Sequence, residues 1–115
     1  MDGSEIHESV LALLAIDQAG AKALCCAPDA PVNGVVNHLT NKPDSSPRNV
    51  LVESARIARG EVKNIREIKT AEIDALIFPG GFGAARNLCT FATDGVNCTV
   101  KIGRASCRER VYVLV

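Results

Sequence analysis

The stretch that most constrains the fold is Asp74-Ala75-Leu76-Ile77-Phe78-Pro79-Gly80-Gly81-Phe82-Gly83-Ala84-Ala85-Arg86-Asn87-Leu88. A short apolar run stops at Pro-Gly-Gly, and a helix-forming run follows. The pattern predicts a strand that delivers a glycine-rich turn to a helix N-terminus. Glycines there admit φ > 0 and leave backbone N–H groups uncovered. Such a turn can hold an oxyanion or a carbonyl oxygen. A second site-like feature, Glu5-Ile6-His7-Glu8, lies about seventy residues earlier.

The rest of the chain alternates helices and strands. Residues 4–19 read as a helix with Ile6, Val10, Leu13 and Leu14 on one face. Asp2 and Ser4 are its candidate caps, Glu5 and Glu8 fall in its first turn, and Gly20 suits its end. Residues 21–27 read as a buried strand stopped by Pro28-Asp29, and residues 30–45 mostly as loop with a short strand at Val35-Val36. A second helix opens with Ser46 as cap and Pro47 in first position and runs to Gly60. Residues 61–65 read as a strand, 70–73 as a helical turn, 73–78 as the strand before the glycine turn, and 83–88 as the next helix. This order predicts an α/β fold with a parallel sheet and flanking helices. The chain has 115 residues, one small domain, and is 47% hydrophobic but only 3% aromatic, so its core must be Ala, Val, Leu and Ile.

Composition also excludes functions. Net charge is zero, so no bulk attraction to nucleic acid or membrane is expected. The apolar runs fall well short of the ~20 residues that span a bilayer. Met1 is followed by Asp2 and Glu5 rather than by a basic and then an apolar region, which is unlike a signal peptide. Five cysteines is an odd number, Cys25 and Cys26 are adjacent, and no Cys-x-x-Cys occurs. A disulfide framework or metal site is therefore not expected, and reduced thiols in a cytoplasmic compartment are.

The motifs admit alternatives. Glu5 and Glu8 lie on one side of a first helical turn, with His7 pointing elsewhere. They read either as carboxylates beneath a pocket, one a general base, or as surface residues complementing the helix dipole. The turn at Gly80, Gly81 and Phe82 reads as an oxyanion-holding turn, as a dinucleotide turn, or as a tight structural turn. Gly81-Phe82-Gly83 matches G-x-G-x-x-G only in part, since Arg86 takes the third glycine's place. Cys25 and Cys26 read as buried thiols, and Cys89 and Cys98 lack the strand-to-helix elbow of a strained nucleophile. Arg48, Arg56 and Arg59 read as a solvated face with partners such as Glu53.

Four motifs in order carry a resemblance. They are Asp2-Gly3-Ser4-Glu5-Ile6-His7-Glu8, Arg48-Asn49-Val50-Leu51, the run from Glu53 to Gly60, and the run from Phe78 to Ala85. Together they resemble the ElbB-like proteins (enhancing lycopene biosynthesis, glyoxalase-type), PfpI-like members of the class I glutamine amidotransferase-like superfamily. The resemblance runs from Asp2 to about Lys101. It implies a flavodoxin-like fold, here incomplete, and cofactor-free conversion of glyoxal to glycolate by a cysteine thiolate. It implies that Glu8 is the superfamily's glutamate, Glu5 a second carboxylate, and Gly80, Gly81 and Phe82 the oxyanion-binding turn. The implied partner is a small carbonyl compound such as glyoxal, with a homodimer left open, in the cytoplasm or in the mitochondrion of a eukaryote. Two other readings stay open: a non-catalytic regulatory or stress-protection protein linked to isoprenoid biosynthesis, and an amidotransferase subunit.

The family's first strand, with a Ser-Gly-Cys-Gly turn, is expected before Asp2, and its elbow cysteine after Lys101. Neither is in this sequence, which leaves no nucleophile and, in the sheet, a gap beside exposed strands. Composition changes after Lys101. The run from Ile102 to Val111 resembles an in-frame translation of a common sequencing-library adapter. Residues 1–101 are accordingly expected to be the N-terminal part of the family's domain, and 102–115 a non-native tail. That tail includes Cys107 and ends in the β-prone string Tyr112-Val113-Leu114-Val115, which can pair wrongly.

Overall fold

Leu24–Ala27 (β1) is the axis on which the chain assembles. The computed structural model describes residues 4–100 and the backbone of Tyr112–Leu114. In chain order the elements are Ile6–Gln18 (α1), β1, Val36–Asn37 (β2), Lys42–Pro43 (β3), Val50–Ile57 (α2), Val62–Asn64 (β4), Leu76–Ile77 (β5), Phe91–Asp94 (α3) and Tyr112–Leu114 (β6). Single 3₁₀ turns lie at Ile65–Glu67, Thr70–Glu72 and Gly95–Asn97, and a wider π-type turn at Ala84–Leu88. The main sheet has the order β4-β1-β6-β5, and every pairing in it is parallel. The fold is the expected α/β class, a flavodoxin-like parallel sheet with flanking helices.

Side chains alternate across the sheet with period two. Cys25 and Ile77 face the helices, where they meet Leu13 and Ile16 of α1 and Ile57 and Ala58 at the end of α2. Leu24, Cys26 and Leu76 face the other way, onto Ile65, Ile68, Ile73 and Leu88. Cys26 and Ile73 are each only 1% exposed, and full burial of an isoleucine contributes about 1.5–3 kcal/mol.

Several local expectations are corrected. The cap of α1 is Glu5, not Asp2 or Ser4: its carboxylate accepts the Glu8 N–H at 2.7 Å. Asp2 lies outside the described residues. Glu5 N–H donates to Gly80 O at 2.7 Å, which holds Glu5 in the extended conformation a cap requires. The buried line of α1 is Ser9, Leu13 and Ile16, while Ile6, Val10 and Leu14 stand about half exposed. Ser9 tolerates full burial because its hydroxyl donates to Glu5 O at 2.8 Å. The strand expected over 21–27 is confined to β1, since Ala21 N–H turns back to Ile16 O at 3.1 Å and closes the helix. The cap of α2 is Asn49, whose Oδ1 accepts Val52 N–H at 3.1 Å. Ser46 is instead bound by its hydroxyl and its N–H to Asp44, and Asn49 is anchored to Asp29 at 2.7 Å. The expected loop over 30–45 contains the small antiparallel pair β2–β3, turned by Asn37 Oδ1 accepting the N–H groups of Leu39 and Thr40.

The expected tail lies outside the described residues except for β6. That strand lies between β1 and β5, with Tyr112 beside both Leu24 and Leu76 and Val113 beside both Cys25 and Ile77.

Candidate functional site

The end of β5 and the start of α1 meet through two hydrogen bonds of opposite sense. Glu5 N–H donates to Gly80 O, and Gly80 N–H donates to Glu8 Oε2. A Cβ at position 80 would overlap the Glu8 carboxylate, so this close approach requires glycine. Gly81 follows at φ +112°, in the left-handed region, and its carbonyl accepts Ala84 N–H at 3.3 Å to open the π-type turn. The structure thus brings Glu8 and Gly80 together, but it corrects one local expectation. Gly80 N–H is not open to a ligand oxygen, because Glu8 occupies it. Gly81 N–H makes no hydrogen bond among the described residues.

Glu5 spends both carboxylate oxygens locally. One accepts Glu8 N–H, and the other accepts from His7 Nδ1 at 2.8 Å. The bonds from His7 and then from Glu8 N–H hold the Glu5 carboxyl below the ordinary glutamate range. The same bond to Glu5 raises His7 above the ordinary histidine value.

An open cleft of about 550 Å³ lies at the C-terminal ends of β1 and β5, the usual place for ligands in open α/β sheets. Glu5, Ile6, Arg48, Phe78, Gly81 and Phe82 are among its lining residues. Glu8 and Gly80, paired to each other, are not. The cleft is chiefly apolar, with Phe78 and Phe82 about half exposed. Its charged residues are already partnered: Arg56 lies 3.2 Å from Glu53, and Arg48 lies 4.0 Å from the same carboxylate.

Phe82 and Asn87 of the cleft lining are held by residues that carried no sequence signal. Arg86 donates to Gly34 O at 3.1 Å and lies over the Phe82 ring at 5.0 Å, while Asn33 N–H donates to Asn87 Oδ1 at 3.0 Å. The two hydrogen bonds each bridge more than fifty residues of chain, so no local pattern could have exposed them. Arg86 was visible only as the residue that spoils a dinucleotide motif.

Among the described residues no cysteine lines the cleft. Burial raises the Cys25 thiol, and burial together with Cys25 pushes Cys26 up to about 12, so neither is a thiolate at neutral pH. Cys89 Sγ is directed at the carbonyls of Ala84 and Ala85, 3.8 and 3.6 Å away. Cys107 lies outside the described residues. Among those residues no cluster of three or more His, Cys, Asp or Glu is arranged to hold a metal ion. Among the described residues, no helix is long and apolar enough to cross a membrane.

Similarity to known proteins is substantial. Over 100 residues the chain is 50% identical to "ES1 protein homolog, mitochondrial" of Rattus norvegicus, a match spanning 86% of this chain and 38% of that protein. It is 49% identical over 100 residues to "Glutamine amidotransferase-like class 1 domain-containing protein 3, mitochondrial" of Homo sapiens, spanning 86% and 37%. A crystal structure of an isoprenoid biosynthesis protein with an amidotransferase-like domain from Ehrlichia chaffeensis superposes with a TM-score of 0.78 at 42% identity. That match spans 87% of this chain and 47% of the other. No family model matches. The chain thus spans less than half the length of each of these relatives. The sequence relatives and the shared parallel sheet support the class I glutamine amidotransferase-like superfamily for this chain.

Proposed function

We propose that the chain is the N-terminal part of an ElbB-like, glyoxalase-type protein whose parent converts a small dicarbonyl such as glyoxal, with water, to glycolate. The observation that carries this reading is the Glu8 carboxylate held on Gly80 N–H beside an apolar cleft at the strand ends. In the parent a cysteine thiolate adds to one aldehyde carbon, and the carbonyl oxygen becomes an oxyanion. Gly81 N–H is the available backbone donor for that oxygen. Glu8 stands one residue away as the carboxylate that positions the thiol or takes its proton. Phe78 and Phe82 keep the cleft apolar, which strengthens both interactions.

The nucleophile is not among the described residues of this chain, so turnover belongs to the longer protein. The test is glyoxal consumption and glycolate formation by a full-length homologue, with and without its elbow cysteine. Cysteine-dependent glycolate formation supports the reading, and an unchanged rate in the cysteine variant overturns it. The present chain should show no turnover above buffer.

A regulatory or stress-protection role linked to isoprenoid biosynthesis is the second reading. It is favoured by the isoprenoid biosynthesis protein that shares the fold and by the occupied Gly80 N–H. Ligand binding without turnover in the full-length homologue would select it. Two relatives are named as mitochondrial, and we extend that location to this chain if its source is a eukaryote.

A further inference from the structure

Glu5, Arg48, Glu53 and Arg56 line the cleft, and their charges are not shared out evenly. Glu5 spends both oxygens on His7 and the Glu8 N–H. Glu53 therefore faces two guanidinia. Its Oε2 lies 3.2 Å from Arg56 Nε, but its Oε1 lies 4.0 Å from Arg48 Nε. One carboxylate cannot neutralise two cations, and the nearer takes the larger share. The terminal nitrogens of Arg48 have no polar partner among the described residues. Asp44 feels the Arg48 charge, but its Oδ1 accepts the Ser46 hydroxyl and N–H, and it is not part of the lining. The backbone holds Arg48 in place. Its carbonyl accepts Val32 N–H at 2.9 Å, and the next two residues, Asn49 and Val50, bind Asp29 and Ala30 O at 2.7 and 2.8 Å. The Arg48 side chain is 43% exposed against 75% for Arg56, so Arg48 is the more enclosed cation. The same cleft includes Gly81, with its N–H open, and half-exposed Phe78 and Phe82. Its volume of about 550 Å³ suits ligands far larger than glyoxal.

We propose that Arg48 is the specificity residue of the cleft and that the substrate class is an oxo acid: a small carbonyl compound whose carboxylate is held by the Arg48 fork while its carbonyl oxygen accepts from Gly81 N–H. This rests on reading the cleft as a carbonyl site, and it adds the end of the substrate that glyoxal lacks. A planar guanidinium with its terminal nitrogens open matches a carboxylate through two parallel hydrogen bonds. The apolar surroundings strengthen that pairing, and an apolar stretch between the two ends of the ligand suits Phe78 and Phe82.

The probes are levulinate, whose ketone and carboxylate stand at opposite ends of a short chain, and its methyl ester. They share the ketone and the carbon chain and differ in charge. Each is titrated into the full chain and followed by the NMR shifts of Arg48 Nε–H and Gly81 N–H, which requires neither nucleophile nor turnover. Levulinate should move both signals along one saturating curve, with a Kd about tenfold or more below that of the ester. Arg48→Gln should weaken levulinate to the level of the ester, and Arg48→Lys, which keeps the charge without the fork, should fall between. Equal Kd for acid and ester overturns the proposal, as does the lack of any saturable shift. So does levulinate binding that survives Arg48→Gln, or that moves Arg48 and leaves Gly81 in place. If Arg48→Gln does not fold, the comparison of acid with ester on the unaltered chain decides alone. The result is separable from the glyoxal assay. Cysteine-independent turnover in the homologue removes the proposed reaction but not a preference for levulinate, whereas equal binding of acid and ester removes the oxo acid and leaves the reaction.

Discussion

Two junctions fasten the turn after β5, one on each side, and they are made of different materials. On the α1 side the contact is main chain to main chain plus one carboxylate: Glu5 N–H to Gly80 O, and Gly80 N–H to Glu8. On the far side it is side chain to loop: Arg86 to Gly34 O, and Asn87 to Asn33 N–H. Each junction contains a glycine that another residue would disturb, but for unlike reasons. At Gly80 the reason is space alone, filled by the tip of Glu8. At Gly34 the backbone itself lies at φ +75°, and a Cβ would also come within 2.6 Å of the Arg86 guanidinium. A crowded side-chain tip can swing away, whereas a left-handed backbone cannot relax without moving the loop.

The largest expected effect follows from that contrast. Gly34→Ala should cost about 2 kcal/mol, combining the left-handed penalty of roughly 1–2 kcal/mol with displacement of Arg86. Gly80→Ala should cost only about 1 kcal/mol, the worth of the hydrogen bond lost when exposed Glu8 turns aside. Urea midpoints at unchanged slope measure both. If Gly80→Ala is the more damaging, Glu8 is held rigidly and the contrast between the junctions is wrong.

The next effect sharpens the comparison by coupling. Glu8→Ala and Gly80→Ala remove the same bond, so the double variant should be about as stable as the worse single one, a coupling near 1 kcal/mol. Gly80→Ala combined with Arg86→Ala touches both junctions and should be additive within about 0.5 kcal/mol. Strong coupling in that second pair would mean that the turn moves as one rigid body between the two walls.

The two junctions also divide what sequence could disclose. The α1 side was legible because both of its halves are local signatures: a glutamate pair at a helix start, and Pro-Gly-Gly after an apolar run. What sequence could not show was that the two halves satisfy each other, leaving Gly80 N–H closed. The far side was illegible, because Arg86, Asn87, Asn33 and Gly34 acquire meaning only when residues more than fifty apart meet. The same logic explains the misread caps. Ser46 and Asn49 are both good caps in isolation, and Asp44 and Asp29 decide between them through contacts that propensity does not contain. The α1 face was misread because its apolar positions cover more of the helix than the sheet can bury. The sheet covers Leu13 and Ile16 and leaves Val10 and Leu14 outside, while Ser9 is buried on its hydrogen bond to Glu5 O. Strand order was the largest omission: a β-prone string was legible at 112–115, but not its place between β1 and β5.

A smaller effect separates charge from shape on the far side. Arg86→Lys keeps the charge but loses the planar group that lies over Phe82 while donating to Gly34 O. The expected cost is about 0.5–1 kcal/mol in urea unfolding, less than Arg86→Ala. Equal stability of Arg86→Lys and wild type would reduce the contact with Phe82 to proximity.

The smallest effect lies on the α1 side and is a pH dependence. Glu5 is depressed by His7 and by Glu8 N–H, so its contribution is present above the ordinary glutamate pKa and fades as pH falls through the lowered value. His7 is raised by Glu5, so its contribution is present below the ordinary histidine pKa and fades as pH rises through the raised value. The pair is therefore fully formed between the two ordinary values and weakens on either side. Both groups are exposed, so salt should shrink the effect further. The measurement is the exchange rate of Glu8 N–H, which donates to Glu5, corrected for intrinsic pH dependence. Its protection should be greatest in that mildly acidic window. His7→Ala should remove the alkaline limb and keep the acidic one, whereas Glu5→Gln should flatten both. Loss of protection on the alkaline side that persists in His7→Ala would show that the α1 junction responds to another group, and that its hold on the glycine turn does not pass through this pair.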